Sequence, residues 1–189
     1  MTKLTRRSLS LGLLGAAAAS CGSEAKDKEM EIENPDPSTI PDYDKWQLSN
    51  AEWKERLAPE AYAVLRKQAT ERPGSSPLED EERKGVFACA GCGYDLFKSE
   101  AKYHSGSGWP SFFEYIDGAL GFSRDYKIWT PRIEYHCARC GGHQGHVFDD
   151  GPPPTGKRYC MNSAALRFIP VEDLAAEGYD RFLPLFDKK

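Results

Sequence analysis

The sequence has no hydrophobic run of the roughly 20 residues that a membrane-spanning helix needs, which excludes a multi-pass membrane protein. It has no excess of basic residues, with 25 Lys and Arg against 29 Asp and Glu, so we expect no nucleic-acid partner. Only six of its 189 residues are cysteine, too few for a disulfide-dense mini-protein. No internal repeat and no glycine-rich phosphate loop are present. A hydrophobic content of 40% is ordinary for a globular chain and, at this length, predicts one domain.

Residues 1–21 have the layout of an export signal. Lys3, Arg6 and Arg7 form a basic start, and a short apolar stretch over 9–19 follows and ends in small residues. The alternative is a buried helix of the fold, but the polar, charged segment that comes next argues against it. We therefore expect export to the bacterial cell envelope.

Two short motifs in this segment bear on the export route and on a lipid anchor. Residues 5–9, Thr-Arg-Arg-Ser-Leu, resemble a twin-arginine signal, which exports folded chains. Residues 18–21, Ala-Ala-Ser-Cys, resemble a bacterial lipobox, in which the Cys21 thiol is acylated, although Ala18 stands where that motif usually has leucine. The body of the chain is acidic, so contact with a membrane is expected only through an N-terminal lipid.

The rest of the chain divides into a predicted tether over 22–43 and a predicted domain over 44–189. The tether is polar and contains proline, as expected for a membrane spacer or for a ragged domain edge. Two short helices are predicted next, one from the capping box of Ser49 and Glu52 and one from Pro59. From Val86 onward, short aromatic and β-branched stretches alternate with glycine and proline, which predicts antiparallel strands. One strand is predicted within 127–137, and a last helix over 170–176.

Four cysteines form two C-x-x-C pairs, each followed by glycine: Cys89 with Cys92, and Cys137 with Cys140. Two such turns can complete a tetrahedron of thiolates, which predicts a structural Zn²⁺ with no open coordination position. Iron in the same cage, disulfides formed after export, and a redox dithiol are the alternatives. A chain that folds and binds its metal before export would avoid the disulfides.

Cys160 lies outside this spacing. If its segment is a strand, Arg158, Cys160 and Asn162 share one face, and a cation beside a thiol lowers the pKa of that thiol. The preceding segment supplies two imidazoles and two carboxylates: His143, His146, Asp149 and Asp150. A cysteine with a nearby histidine is typical of nucleophilic catalysis, while an inert buried thiol and solvated surface histidines are the alternative.

Taken together, these segments resemble the B type of the methionine-R-sulfoxide reductase family, from about residue 46 to residue 169. The resemblance rests on Glu52-Trp53, on Tyr62 to Arg66, on both cysteine pairs, on Ser105 to Phe112, on His143 to Phe148 and on Arg158 to Ser163. It implies a mainly β fold of two antiparallel sheets with small N-terminal helices and a four-cysteine zinc site. It also implies an enzyme that reduces the R epimer of methionine sulfoxide in oxidised proteins.

The resemblance assigns a role to each site residue. Cys160 matches the nucleophile, which is left as a sulfenic acid, and Arg158 matches the residue that helps to keep its thiol ionised. Three residues match positions around the departing oxygen: His143, His146 and Asp150. Asn162 matches a polar contact to the catalytic centre, and Trp109 matches the aromatic wall that receives the substrate methyl group.

One position departs from the family. Many members carry a second, resolving cysteine where this chain has Ser107. We therefore expect a one-cysteine enzyme, recycled directly by a thioredoxin-like or other external thiol. Two other functions compete with it, a non-catalytic zinc module and a thiol peroxidase or disulfide exchanger. The set of His143, His146, Arg158 and Cys160 argues against the first, and the lack of a second redox cysteine argues against the other.

Overall fold

A computed structural model describes residues 32–187, which contain three short α-helices and nine strands. The helices are α1 (Asn50–Arg56), α2 (Pro59–Lys67) and α3 (Leu183–Phe186). The first five strands are β1 (Gly85–Cys89), β2 (Asp95–Lys98), β3 (Lys102–Tyr103), β4 (Ser111–Phe112) and β5 (Leu120–Asp125). The other four are β6 (Arg132–Cys137), β7 (His143–Phe148), β8 (Arg158–Met161) and β9 (Leu166–Pro170). Within this part of the chain, no helix is long and apolar enough to cross a membrane.

The strands form two antiparallel sheets, which confirms the predicted fold class. One has three strands in the order β2-β1-β9, and the other has six in the order β3-β4-β8-β7-β6-β5. Between them lies an aromatic core in which Phe97 stacks on Phe112, with ring centroids 4.3 Å apart, and meets Tyr135 and Tyr159 at their edges. One face of the large sheet is thus buried, and its other face carries the polar residues described below.

The two N-terminal helices begin where the sequence predicts. The Ser49 hydroxyl accepts from the Glu52 N–H, and the Glu52 carboxylate accepts from the Ser49 N–H at 2.8 Å, so the capping box is complete. Helix α2 starts at Pro59 and buries Val64 and Leu65. These helices place an apolar surface over one end of both sheets.

Strand β5 was not predicted, and the strand predicted within 127–137 begins only at Arg132. Residues 120–125 owe their extended form to six registered pairs with β6, a tertiary effect that local propensity does not show. The helix predicted over 170–176 is reduced to a 3-10 turn, Val171–Asp173, because β9 extends to Pro170.

The final part of the predicted tether packs on the domain. Asn34 accepts from the Phe122 N–H at 2.6 Å and donates to the Phe122 carbonyl at 3.3 Å, both through its side-chain amide. Pro37–Thr39 forms a 3-10 helix, and Ile40 is buried. The predicted export signal and Cys21 lie outside the described residues.

Candidate active site and metal centre

The four paired cysteines converge at the junction of the two sheets. Cys89 ends β1 in the small sheet and Cys137 ends β6 in the large one, and each partner follows in the next turn. All four sulfur atoms lie within 4.8 Å of one another, with 3.7 Å between Cys89 and Cys140 and 3.6 Å between Cys92 and Cys137. A tetrahedral site with metal–sulfur bonds of about 2.3 Å needs sulfur–sulfur distances of about 3.8 Å. The cluster therefore has the geometry of a metal site.

Each C-x-x-C pair is held by its own turn, and the two turns are of the same kind. The N–H of Gly93 donates to the Cys89 carbonyl at 2.8 Å, and the N–H of Gly141 donates to the Cys137 carbonyl at 2.9 Å. Both glycines have positive φ, +70° and +67°, a backbone conformation that other residues adopt at a cost. The glycine after each C-x-x-C pair is thus required by the turn that aims the two thiols.

Helix α2 and strand β7 close the cluster against solvent. Arg66 donates to the Cys140 carbonyl at 3.1 Å, and the Gln144 amide donates to the Cys89 sulfur at 3.3 Å. A side chain at Gly142 would come within 2.9 Å of Leu65, so α2 approaches the cluster as closely as the backbone allows. The arrangement leaves the four sulfurs buried, as in a structural metal site.

Cys160 lies on the polar face of the large sheet, in a row that the strand register defines. On β8 it is directly opposite His146 of β7 and opposite Ser111 of β4. The row continues from His146 to Glu134 and Ser123. Directly opposed residues of antiparallel strands point to the same side with their Cβ atoms about 5 Å apart. The register alone therefore puts an imidazole beside the Cys160 thiol.

A β-bulge brings His143 to the same face as His146. His143 is opposite His136 and Gly145 is opposite Tyr135, so Gln144 is the extra residue. Residues three apart in a regular strand point to opposite faces, and the extra residue corrects this. The two imidazole centroids lie 5.4 Å apart, while Gln144 turns toward Cys89. The bulge thus turns His143 toward the face that carries Cys160 and turns Gln144 toward the cysteine cluster.

Each histidine is held by a carboxylate that sequence reasoning missed. His146 Nε2 lies 2.7 Å from Asp125, and His143 Nδ1 lies 2.7 Å from Glu134. Burial alone would raise the pKa of Asp125, but hydrogen bonds from the Lys127 N–H, His146 and Arg132 lower it well below its usual range. Burial lowers the pKa of His146, and the Asp125 carboxylate opposes that effect. Asp125 is thus a fixed anion that orients His146.

Arg158 and Asp150, two of the predicted site residues, are bound to each other. Arg158 binds Asp150 through two hydrogen bonds of 2.8 and 2.9 Å, so Asp150 contacts the arginine rather than either histidine. Burial raises the pKa of the Cys160 thiol, while the Arg158 charge and a hydrogen bond with Ser107 lower it. Arg158 therefore acts in the predicted direction, but burial outweighs it in the free protein.

Trp109 and Asn162 are both tied to Glu71, a residue that sequence reasoning did not single out. The Trp109 indole N–H donates to the Glu71 carbonyl at 3.2 Å, and the Asn162 side-chain oxygen accepts from the Glu71 N–H at 3.1 Å. The Asn162 amide also donates to the Gln144 carbonyl at 3.2 Å. Asn162 therefore ties Gln144 of β7 to Glu71, and the Glu71 carbonyl in turn holds the Trp109 indole.

These residues surround a cavity of about 130 Å³ at the Cys160 thiol. Its lining includes Trp109, Arg132, His146, Phe148, Cys160 and Asn162. His143 lies behind His146 rather than in the lining. An indole, a phenyl ring, a thiol and an imidazole around one cavity suit a small group with an apolar end and a hydrogen-bond-accepting end.

The fold and the two sites define a class: a two-sheet β domain with a buried tetrathiol cluster and a separate thiol beside two histidines. The SelR domain family matches residues 57–170. A "Peptide methionine sulfoxide reductase MsrB" of Methanosarcina barkeri is 49% identical over 136 residues, covering 71% of this chain and 95% of that protein. The protein of the same description from Bradyrhizobium diazoefficiens is 50% identical over 137 residues, 72% of this chain and 99% of that one.

A mouse protein, "Methionine-R-sulfoxide reductase B3, mitochondrial", is 45% identical over 132 residues, which are 69% of this chain and 52% of that protein. The chain belongs to the MsrB family and contains a SelR domain. The resemblance inferred from the motifs is thereby confirmed.

Proposed function

We propose that this protein reduces methionine-R-sulfoxide residues in proteins to methionine, with Cys160 as the nucleophile. The observation that carries the proposal is the position of Cys160 opposite His146, at a cavity walled by Trp109. The similarity to proteins described as peptide methionine sulfoxide reductases supports it. Oxidised proteins are then one partner and a thiol reductant is the other.

In the proposed reaction, the Cys160 thiolate attacks the sulfoxide sulfur while the oxygen is protonated. The sulfur–oxygen bond of the substrate breaks and the oxygen passes to the Cys160 sulfur. The net result is methionine and a Cys160 sulfenic acid, so the two electrons come from the cysteine. His146, oriented by Asp125, donates the proton to the oxygen, and His143 packs against His146 with ring centroids 5.4 Å apart. Arg158 favours the thiolate, and Trp109 receives the substrate methyl group.

The test of this proposal is stereochemical. We expect the R epimer of dabsylated methionine sulfoxide to be reduced with dithiothreitol as reductant, and the S epimer to be left unchanged. The reason is that a fixed indole wall and fixed imidazoles accept only one arrangement of methyl, oxygen and chain around sulfur. Chromatography of the two epimers separately gives the result, and comparable rates for both would contradict the stereospecificity.

Recycling is proposed to proceed without an internal disulfide, because Ser107 lies at the Cys160 thiol in place of a resolving cysteine. After one turnover without reductant, we expect dimedone to label Cys160 and peptide mapping to show no disulfide. In Ser107→Cys, the introduced thiol should form a disulfide with Cys160, and dimedone labelling should fall by most of its extent. A linkage of Cys160 to any of the four clustered cysteines would contradict the one-cysteine mechanism.

We also propose that the tetrathiol cluster binds Zn²⁺ with a structural role. Cys89, Cys92, Cys137 and Cys140 would hold the metal and leave no position for substrate. Four soft thiolates in a tetrahedron favour zinc or iron over magnesium or calcium. The cluster joins the two sheets, so its role would be to stabilise the fold.

For location, we propose export to the cell envelope and acylation of Cys21. The basic start, the apolar stretch and the small residues before Cys21 support this proposal. In cells, we expect the full chain in the membrane fraction with a fatty acid on Cys21, and the Cys21→Ser variant in the soluble envelope fraction. The same distribution for both chains would contradict a lipid anchor.

A further inference from the structure

The connection between β5 and β6, residues 126–131, carries large apolar side chains on its outer surface. Tyr126 is 68% exposed, Ile128 is 48% exposed and Trp129 is fully exposed at 102%. Within residues 32–187, Leu185 is the other large hydrophobic residue with such exposure. Adjacent exposed apolar side chains are typical of an interaction surface, since water contact with them is unfavourable.

This 126–131 loop is continuous with the candidate active site at both of its ends. Asp125 immediately precedes the loop and holds His146, and Arg132 immediately follows it and lines the cavity. Arg132 also binds Asp125 at 2.6 Å, which closes the base of the loop. Both ends of the loop that carries these apolar residues are therefore anchored at the candidate active site.

The base of the loop is fixed while its apolar side chains are not buried. The Lys127 N–H donates to the Asp125 carboxylate at 2.8 Å, and the Lys127 amine binds Gln68 at the end of α2. The loop is thus presented as a formed surface, which lowers the entropy cost of binding a partner.

We propose that the 126–131 loop binds the residues that flank methionine sulfoxide in a protein substrate, and that it favours apolar and aromatic flanking residues. This inference rests on the proposed function. A cavity of about 130 Å³ holds the end of one side chain, so the polypeptide on either side must cross its rim. An extended chain advances about 3.3 Å per residue, so residues one to three positions away extend up to about 10 Å from the sulfoxide.

The experiment compares three substrates that contain the R sulfoxide: N-acetyl-methionine sulfoxide amide, a heptapeptide with Leu and Phe beside the sulfoxide, and the same heptapeptide with Ser at those positions. For Trp129→Ser, we expect about a tenfold rise in KM for the Leu/Phe peptide, with kcat and the other two substrates unchanged. The matched control is Leu185→Ser, which removes an exposed apolar residue elsewhere and should change nothing. An equal change for all three substrates, or none, overturns the proposal.

A binding readout that needs no turnover uses the Cys160→Ser chain. Adding the Leu/Phe peptide should shift its tryptophan emission to shorter wavelength by more than N-acetyl-methionine sulfoxide amide does, and this excess should be absent when Trp129→Ser is added. A shift caused by phosphatidylglycerol vesicles but not by the peptide would mean that the loop contacts membranes, and it overturns the proposal. Failure to reduce any of the three substrates contradicts the proposed function instead, and this titration still decides the binding.

Discussion

Replacing Cys160 with serine is expected to abolish reduction of methionine sulfoxide, a loss of more than about a thousandfold, as is usual when a covalent nucleophile is removed. A serine hydroxyl is not ionised at neutral pH and cannot accept the sulfoxide oxygen as a sulfenic acid. Strand β8 is held by backbone hydrogen bonds to β4 and β7, which the substitution leaves in place. Thermal unfolding and metal content should therefore match the unmodified chain.

The measurement is the rate of reduction of the R epimer, with elemental analysis of the same sample. Leu185→Ser is a suitable control, because it changes an exposed side chain on α3, outside the candidate active site, and should leave the nucleophile active. Measurable turnover by Cys160→Ser would show that another thiol is the nucleophile.

The second large effect is expected at the tetrathiol cluster. Replacing Cys137 with serine should remove the metal and lower the free energy of unfolding by several kcal/mol, because structural metal binding contributes directly to folding. Cys137 is the last residue of β6, and its partners Cys89 and Cys92 belong to the small sheet or the turn after it. The substitution therefore removes a link between the two sheets as well as one metal ligand.

The unmodified chain should contain close to one zinc per molecule, measured by elemental analysis. Urea unfolding of Cys137→Ser and of Cys160→Ser separates the two roles, since only the first should lose both metal and stability. A metal-free protein with its four clustered cysteines oxidised would favour the disulfide alternative and contradict the zinc proposal.

The cluster was predictable from sequence because its signal is local. Each C-x-x-C pair and its following glycine form one turn, and the type of turn is set by neighbouring residues. The capping box of Ser49 is local in the same way. Strand β5 could not be found like this, because residues 120–125 become a strand only through their pairs with β6.

At the candidate active site, too, the residue types could be predicted from the sequence, whereas the contacts between strands could not. Cys160, His143 and His146 stand out by residue type, but the carboxylates that hold the histidines depend on the register of three strands, β5, β6 and β7. The structure adds Asp125, which holds His146 from 21 residues upstream, while Asp150, which the family resemblance places near the departing oxygen, binds Arg158. The bulge at Gln144 likewise depends on strand pairing, so the sequence pattern does not predict it.

Asn34 has a consequence for how this domain meets other copies of itself. Strand β5 lies at one edge of the six-stranded sheet, and an open edge can recruit a strand from another molecule. The Asn34 amide occupies both backbone groups of Phe122 with one side chain, as a neighbouring strand would. Asn34 precedes the matched SelR region of residues 57–170, so this protection against edge-to-edge aggregation comes from a residue outside that region.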